Sequence, residues 1–345
     1  MTGNADILFE VEGALGLITL NRPKALNALT LGMIRAMDAQ LIQWATDPNI
    51  ASVMVRGAGD KAFCAGGDVV ALHQPGNDQL ITEFFRDEYR LNRTIFRYPK
   101  PYLALIDGFT MGGGVGVAIL GRYRVATERT VFAMPETGIG MFPDVGGTYF
   151  LPRLPGELGM YLAMTGARLK GSDCVDAGLA EACIASDRSE ALISGLAAGR
   201  LPDQMLPELA DEAGAPAFAG HREVIDRCFS AGSVEEIMAC LEAEDGEWEA
   251  KTLATMRRMS PTAMKIAHRQ LREGAKLDFE DCMILEYRLS QRVARGHDFP
   301  EGVRAVLVDK DMSPKWAPPT LAEVSDEEID GVFAPLPDGD LTFPS

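Results

Sequence analysis

With 345 residues the chain can bury one large core or two smaller ones, and its 33 Lys and Arg against 50 Asp and Glu leave a formal net charge of −17. That balance weighs against nucleic acid or an anionic membrane as the main partner, although local basic groups can still hold a small anionic ligand. No apolar run reaches the length of a transmembrane helix. Residues 1–6 lead almost at once into the first strand, with neither a signal-peptide core nor an Arg-rich transit segment, so the expected location is cytoplasmic.

In chain order, residues 7–20 read as a β-hairpin turning at 13–16, followed by a helix over 31–46 and a strand at Ser52-Val-Met-Val-Arg56. Gly57-Ala-Gly59 imitates a dinucleotide-binding turn. The next residues are Phe63-Cys-Ala-Gly-Gly67 rather than an amphipathic helix, which excludes that reading. A helix is expected over 82–97, then a strand at Tyr102-Leu-Ala-Leu-Ile106 and a buried helix at Val115-Gly-Val-Ala-Ile-Leu120. Val125-Ala-Thr127 and Val131-Phe-Ala133 continue a strand–strand–helix rhythm. From about Asp187 the pattern is mainly helical, with Ser233-Val-Glu-Glu236 opening one helix as a capping box and two more over 261–272 and 278–294. The tail after Pro318 is expected to be loosely attached.

The residues that carry chemistry lie in Met134-Pro-Glu-Thr-Gly-Ile-Gly-Met-Phe-Pro-Asp-Val-Gly-Gly147. Here Glu136 and Asp144 stand among Pro, Gly and apolar residues, where poor solvation shifts proton affinity toward values useful in catalysis. The prolines and glycines argue for a shaped loop rather than a continuous helix, so both acids can be aimed. The bland alternative makes Glu136 a cap and Asp144 a turn residue after Pro143. Two glycine clusters upstream favour the catalytic reading. Phe63-Cys-Ala-Gly-Gly-Asp68 and Met111-Gly-Gly-Gly-Val-Gly116 each follow a strand, and glycines let a ligand approach backbone N–H groups without a side chain in the way. One donor from each cluster makes an oxyanion hole.

The chain resembles the crotonase (enoyl-CoA hydratase/isomerase) superfamily nearly end to end, from Gly16-Leu-Ile-Thr-Leu-Asn-Arg-Pro23 onward. The matching segments are Asn27-Ala-Leu29, Ala62-Phe-Cys-Ala-Gly-Gly-Asp68 and Asp107-Gly-Phe-Thr-Met-Gly-Gly-Gly114. The 134–147 run, Glu286-Tyr-Arg-Leu-Ser290, Arg295-Gly-His-Asp-Phe299, Glu301-Gly-Val-Arg-Ala305 and Asp309-Lys-Asp-Met-Ser-Pro-Lys-Trp316 resemble a hydrolase branch of it. The resemblance implies an α/β fold, a crotonase-type spiral of ββα units over 1–255, with a C-terminal helical region at 256–345 packed on the core in one functional domain.

One departure from the hydratase pattern bears on the reaction. Hydratases of the superfamily carry a catalytic Glu three residues after the middle glycine of the Gly-Gly-Gly cluster, and here that position is Gly116. The second hydratase carboxylate falls on Glu136, and Asp144 belongs to the hydrolase branch. The expectation is hydrolysis of a short branched β-hydroxyacyl-CoA thioester, first 3-hydroxyisobutyryl-CoA, in valine breakdown. The N–H groups of Gly67 and Gly113 would stabilise the oxyanion, Glu136 would act as nucleophile or general base, and Asp144 would assist. The resemblance also points to Glu88 near the acyl hydroxyl, against a solvated helix face as its alternative. It puts the adenine end of CoA near the Asn27-Ala-Leu29 and Ala65-Gly-Gly67 backbones, with Asp68 beside them. Lys24 and Lys61 flank these segments as phosphate partners or plain surface lysines. The rivals are a hydratase or isomerase of the same fold and a non-catalytic acyl-CoA-binding protein.

No cofactor beyond the CoA of the substrate is expected. Six cysteines without a Cys-x-x-Cys pair and four histidines without ligand spacing predict no metal site. Cys64 reads as a packing residue, and His297 as a structural hydrogen-bonding residue rather than a base. Homo-oligomerisation is left open, because the C-terminal helices can pack within one chain or between chains.

Overall fold

The computed structural model describes residues 5–74, 76–211 and 216–343. They cluster into two units with interleaved sequence. The first comprises residues 1–68, 87–133 and 168–219, and the second 69–86, 134–167 and 220–345.

The first unit holds all ten strands: β1 Ile7–Glu12, β2 Leu15–Leu20, β3 Ser52–Gly57, β4 Ala62–Cys64, β5 Tyr102–Ile106, β6 Phe109–Met111, β7 Tyr123–Thr127, β8 Val131–Ala133, β9 Leu169–Lys170 and β10 Ala182–Ile184. They form a six-stranded sheet in the order β1-β2-β3-β5-β7-β10 and a four-stranded sheet in the order β4-β6-β8-β9. Successive strands from β3 to β8 alternate between the two sheets. Each turn of the chain therefore adds one parallel strand to each, which is the spiral expected from the resemblance. The hairpin at 7–20 is antiparallel, Ile7 opposite Leu20, as the turn at 13–16 predicted.

The helix Leu31–Thr46 forms where predicted. Thr30 caps it by accepting from Met33 N, and Met33, Ile34, Met37, Leu41 and Trp44 fall on one buried stripe. Gly16 on β2 is what admits Trp44, since a Cβ there would stand 2.7 Å from the indole ring. On the six-stranded sheet Leu15, Leu17, Met54, Leu103 and Val125 pack against Leu192, Leu196 and Met205 from the helices Ser189–Ala197 and Pro202–Leu209.

The second unit is helical. Ser233, Ser260 and Asp278 cap the helices Val234–Ala243, Pro261–Gly274 and Phe279–Val293, so the three predicted starts are found at their capping residues. The tail does not behave as expected. Ile329 and Phe333 of the helix Asp326–Phe333 are buried, as is Leu341. Arg288 bonds Asp340 and the Phe333 carbonyl, Arg292 bonds the Val332 and Pro335 carbonyls, and Arg269 pairs with Asp330. Three arginines from two helices thus hold a segment whose own composition looks loose.

Cys228 and Cys240 form a disulfide between the helices Arg222–Phe229 and Val234–Ala243, a pairing that spacing alone did not suggest. Glu244 lies with these two sulfurs inside 4.8 Å, but the sulfurs are bonded to each other and Glu244 pairs with Arg227.

Candidate active site

In the first unit the glycine clusters meet because β4 and β6 are parallel neighbours, with Cys64 opposite Thr110. The residues just past both strand ends are therefore side by side. A Cβ on Gly113 would stand 3.1 Å from Gly67 N, and one on Gly114 would run into the Cys64 carbonyl at 2.1 Å. Such an approach is open only to glycine. Gly113 begins the helix Gly113–Ile119, and no hydrogen bond among the described residues uses the N–H of Gly67 or Gly113. Two backbone donors thus lie close together without a partner among the described residues, the raw material of an oxyanion hole.

The glycine loop is pinned by the Asn27-Ala-Leu29 segment. Asn27 is fully buried and donates to the Ala58 and Ala62 carbonyls, while its own Oδ1 accepts from Arg22 N. Ala65 N donates to the Leu26 carbonyl, Leu29 N to that of Gly66, and Asp68 N to that of Leu29. Asp68 also pairs with Arg22 at 3.0 Å. Lys24 and Lys61 are exposed, beside this loop in sequence.

Glu88 is 2% exposed, which rules out the solvated-face reading. Its Oε1 lies 2.6 Å from where a Cβ on Gly113 would stand, so its carboxyl adjoins the two donors. Burial pushes the Cys64 thiol up to about 12, with the Glu88 charge adding to it, and this supports the packing role over a nucleophilic one.

In the second unit the 134–147 run is a loop, as its prolines and glycines predict. A short 3-10 turn, Glu136–Ile139, is closed by Met141 N donating to the Glu136 carbonyl. Gly140, at φ +71°, is pressed against Asp298, where a Cβ would stand 2.3 Å from the carbonyl carbon. Asp298 in turn accepts from the Ser260 hydroxyl and Ala317 N, and His297 Nδ1 lies 3.1 Å from its Oδ1. His297 and Asp298 are thus supports of the loop's far side.

Glu136 is 5% exposed, and its Oε2 has no hydrogen-bond partner among the described residues. Burial, then the charge of Asp144, pushes its carboxyl well above the usual range, and Glu286 adds to the push. Asp144 is also buried, and Gly147 N donates to its carbonyl. The residue after it, Val145, sits at φ +51°, a left-handed conformation that costs a β-branched residue about 1–3 kcal/mol and persists only where neighbours over-determine it.

Two such neighbours escaped the sequence reading of the site. Gln270 donates to the Pro143 carbonyl at 2.6 Å and to the Thr148 hydroxyl at 2.7 Å. Glu286, fully buried, accepts from Gly146 N and Thr148 N, each at 2.9 Å. Burial first, then Asp144, pushes Glu286 up to about 8 against the pull of those two bonds. A signal for it existed: Glu286 lies on the apolar stripe of its helix, four residues after Cys282 and three before Leu289.

Taken each by itself, the buried acids on the strained loop of the second unit and the close glycine N–H groups of the first are features that acyl-transfer chemistry uses. A sequence-family model described as "Enoyl-CoA hydratase/isomerase" matches residues 15–333, and the chain belongs to that family. It is 50% identical over 349 residues to the mitochondrial 3-hydroxyisobutyryl-CoA hydrolase of Danio rerio, covering 98% of this chain and 91% of the relative. The human protein of that name is 47% identical over 350 residues, with the same coverage. Among solved structures, a carnitinyl-CoA dehydratase from Mycobacterium thermoresistibile matches with TM-score 0.94 and 43% identity over 99% of both chains. An enoyl-CoA hydratase from Rhodobacter sphaeroides matches at 0.91 and 40%, over 98% of this chain and 100% of the other. The fold is thus the crotonase fold.

The cytoplasmic expectation does not stand. These relatives are named as mitochondrial proteins, and the few N-terminal residues on which that expectation rested do not outweigh them.

Proposed function

We propose that the protein hydrolyses 3-hydroxyisobutyryl-CoA, releasing 3-hydroxyisobutyrate and CoA in the breakdown of valine. What carries the reading is where the acids are. The helix that supplies one backbone donor, Gly113–Ile119, has no carboxylate, Gly116 included, whereas Glu136 and Asp144 are both buried on one loop. Hydration divides the handling of water and proton between two sites of the superfamily pattern, and one is empty of acid here. The names of relatives at 47–50% identity support the same choice.

In this mechanism the thioester oxygen takes the N–H groups of Gly67 and Gly113, which stabilise the charge that develops as the carbonyl becomes tetrahedral. Glu136, ionised, either attacks the carbonyl carbon to give a mixed anhydride that water then cleaves, or removes a proton from the attacking water. In both routes the C–S bond breaks and the CoA sulfur leaves with a proton. Asp144 assists, through its charge beside Glu136 and through the loop it shares with it. Glu88, buried beside the donors, is assigned to the acyl hydroxyl. Ala65 and Asp68 form the wall along which CoA lies, and Lys24 and Lys61 offer exposed charge for its phosphates.

Hydration is the competing reading because the solved structure at 40% identity is named an enoyl-CoA hydratase, and the one at 43% a carnitinyl-CoA dehydratase. Crotonyl-CoA tells them apart: a hydratase consumes its double bond without freeing a thiol, and the proposal expects no loss of that double bond.

The pH dependence tests the acid pair. Glu136 must be ionised, and its proton affinity is raised, so kcat should fall as pH drops through a value above the ordinary carboxylate range. Replacing Asp144 by Asn removes the neighbouring charge and should move that acid limb to lower pH, with kcat lowered roughly 10- to 100-fold. A limb and rate identical to wild type would reduce Asp144 to a turn residue.

A further inference from the structure

The turn that presents Asp144 is unusual in what holds it. Val145 and Gly146 both have positive φ, at 51° and 94°, and Val145 is buried, so the turn has no relaxed alternative in place. Its two sides are gripped by side chains more than a hundred residues away in sequence. Gln270 holds the Pro143 carbonyl and the Thr148 hydroxyl, and Glu286 holds the Gly146 and Thr148 N–H groups. Glu286 and Gln270 are fully buried, on different helices, Phe279–Val293 and Pro261–Gly274.

We propose that Glu286 is a positioning residue for the hydrolysis, its two carboxylate oxygens holding the strained turn on which Asp144 stands. The proposal deepens the thioester-hydrolase reading and rests on it. The chemistry explains why a costly buried acid is used. Two N–H groups converge on one side chain, and only a carboxyl offers an acceptor to each. Glutamine keeps one acceptor and turns its NH2 toward the other N–H, while aspartate is a methylene too short to reach both. Without the clamp, Val145 can leave the left-handed region and carry Asp144 with it. The titratable groups that interact with Glu286 are Asp144 and Glu136 on the loop and Cys282 one turn back on its own helix. Glu286 thus belongs to one coupled set with the reacting acids, and its replacement changes the titration of that set.

The test is steady-state thiol release by the full chain as wild type, Glu286→Gln and Gln270→Leu, across pH, with thermal unfolding in parallel. Glu286→Gln should lower kcat roughly 10- to 100-fold with KM within about twofold, since misplacement by about an ångström costs that much. It should also move the acid limb to lower pH, because the set has one acid fewer. Gln270→Leu should lower kcat in the same direction and move the limb less than Glu286→Gln does, because no charge is removed. A purely structural Glu286 would give a lower melting temperature with wild-type kcat, and that overturns the proposal. If Glu286→Gln does not fold, Gln270→Leu decides: a wild-type kcat there overturns the positioning of Asp144 by this clamp. Wild-type protein that releases no thiol from any ester would instead overturn the hydrolase reading itself.

Discussion

Glu136→Gln is expected to lower kcat by roughly 10²- to 10⁴-fold, the range lost when a general acid–base or nucleophilic group is removed. The amide is nearly isosteric, so the buried loop keeps its shape and the ester still binds. The physical basis is the combination of burial and an unsatisfied oxygen: Glu136 is 5% exposed, and its Oε2 bonds nothing among the described residues. A carboxylate so placed is poorly stabilised as an anion, hence more basic and more nucleophilic than a solvated one. Binding of a non-hydrolysable CoA thioether, followed by calorimetry, separates the two effects. Retained activity would remove Glu136 from the chemistry, and lost binding would make it a structural residue.

The second large effect is expected from Gly113→Ala. The added Cβ would stand 2.6 Å from Glu88 Oε1 and 3.1 Å from Gly67 N, at the spot the two donors share. Alanine keeps its N–H, but its Cβ would keep the thioester oxygen from reaching the donors. Denying one donor of an oxyanion hole costs roughly 10²- to 10³-fold in kcat, about 3–4 kcal/mol of barrier. Gly113 itself does not need a left-handed conformation, so alanine adds no backbone strain there. The loss should therefore appear chiefly in kcat, with a smaller fall in melting temperature as Glu88 and the 66–67 backbone give way to the Cβ. Gly114→Ala is the contrast, because its Cβ would meet the Cys64 carbonyl at 2.1 Å and should damage the fold. Equal kcat in wild type and Gly113→Ala would show that the space beside Gly67 N and Glu88 is not where the thioester carbonyl reacts.

What could be read from the sequence was what local chemistry encodes. The hairpin at 7–20 and the helix Leu31–Thr46 announce themselves because a glycine-marked turn between two β-like runs and a buried stripe at 33, 34, 37, 41 and 44 are short-range patterns. The loop at 134–147 was legible because its prolines and glycines forbid a helix around the two acids. The division of strands between two sheets was not, since the three-residue strands Ala62–Cys64 and Phe109–Met111 are too short to show a pattern. Only the spiral was expected, and that through resemblance.

Contacts made by backbone atoms were the least visible. Glu286 reaches Gly146 N across 140 residues, and nothing in the loop's own composition advertises the bond. The same holds for the tail, whose carbonyls at 332, 333 and 335 are claimed by Arg288 and Arg292. The Cys228–Cys240 pair was hidden for a combinatorial reason: six cysteines allow about fifteen full pairings, and spacing does not select one.

The central claim is that this chain cleaves the thioester rather than hydrating an alkene. The direct measurement is free CoA thiol released from 3-hydroxyisobutyryl-CoA by the purified full chain, with product acid quantified in the same reaction. The expected result is one thiol and one molecule of 3-hydroxyisobutyrate per ester consumed, at a rate abolished in Glu136→Gln. Ester that stays intact, while crotonyl-CoA loses its double bond under the same conditions, would contradict the account and make the chain a hydratase working without an acid at Gly116.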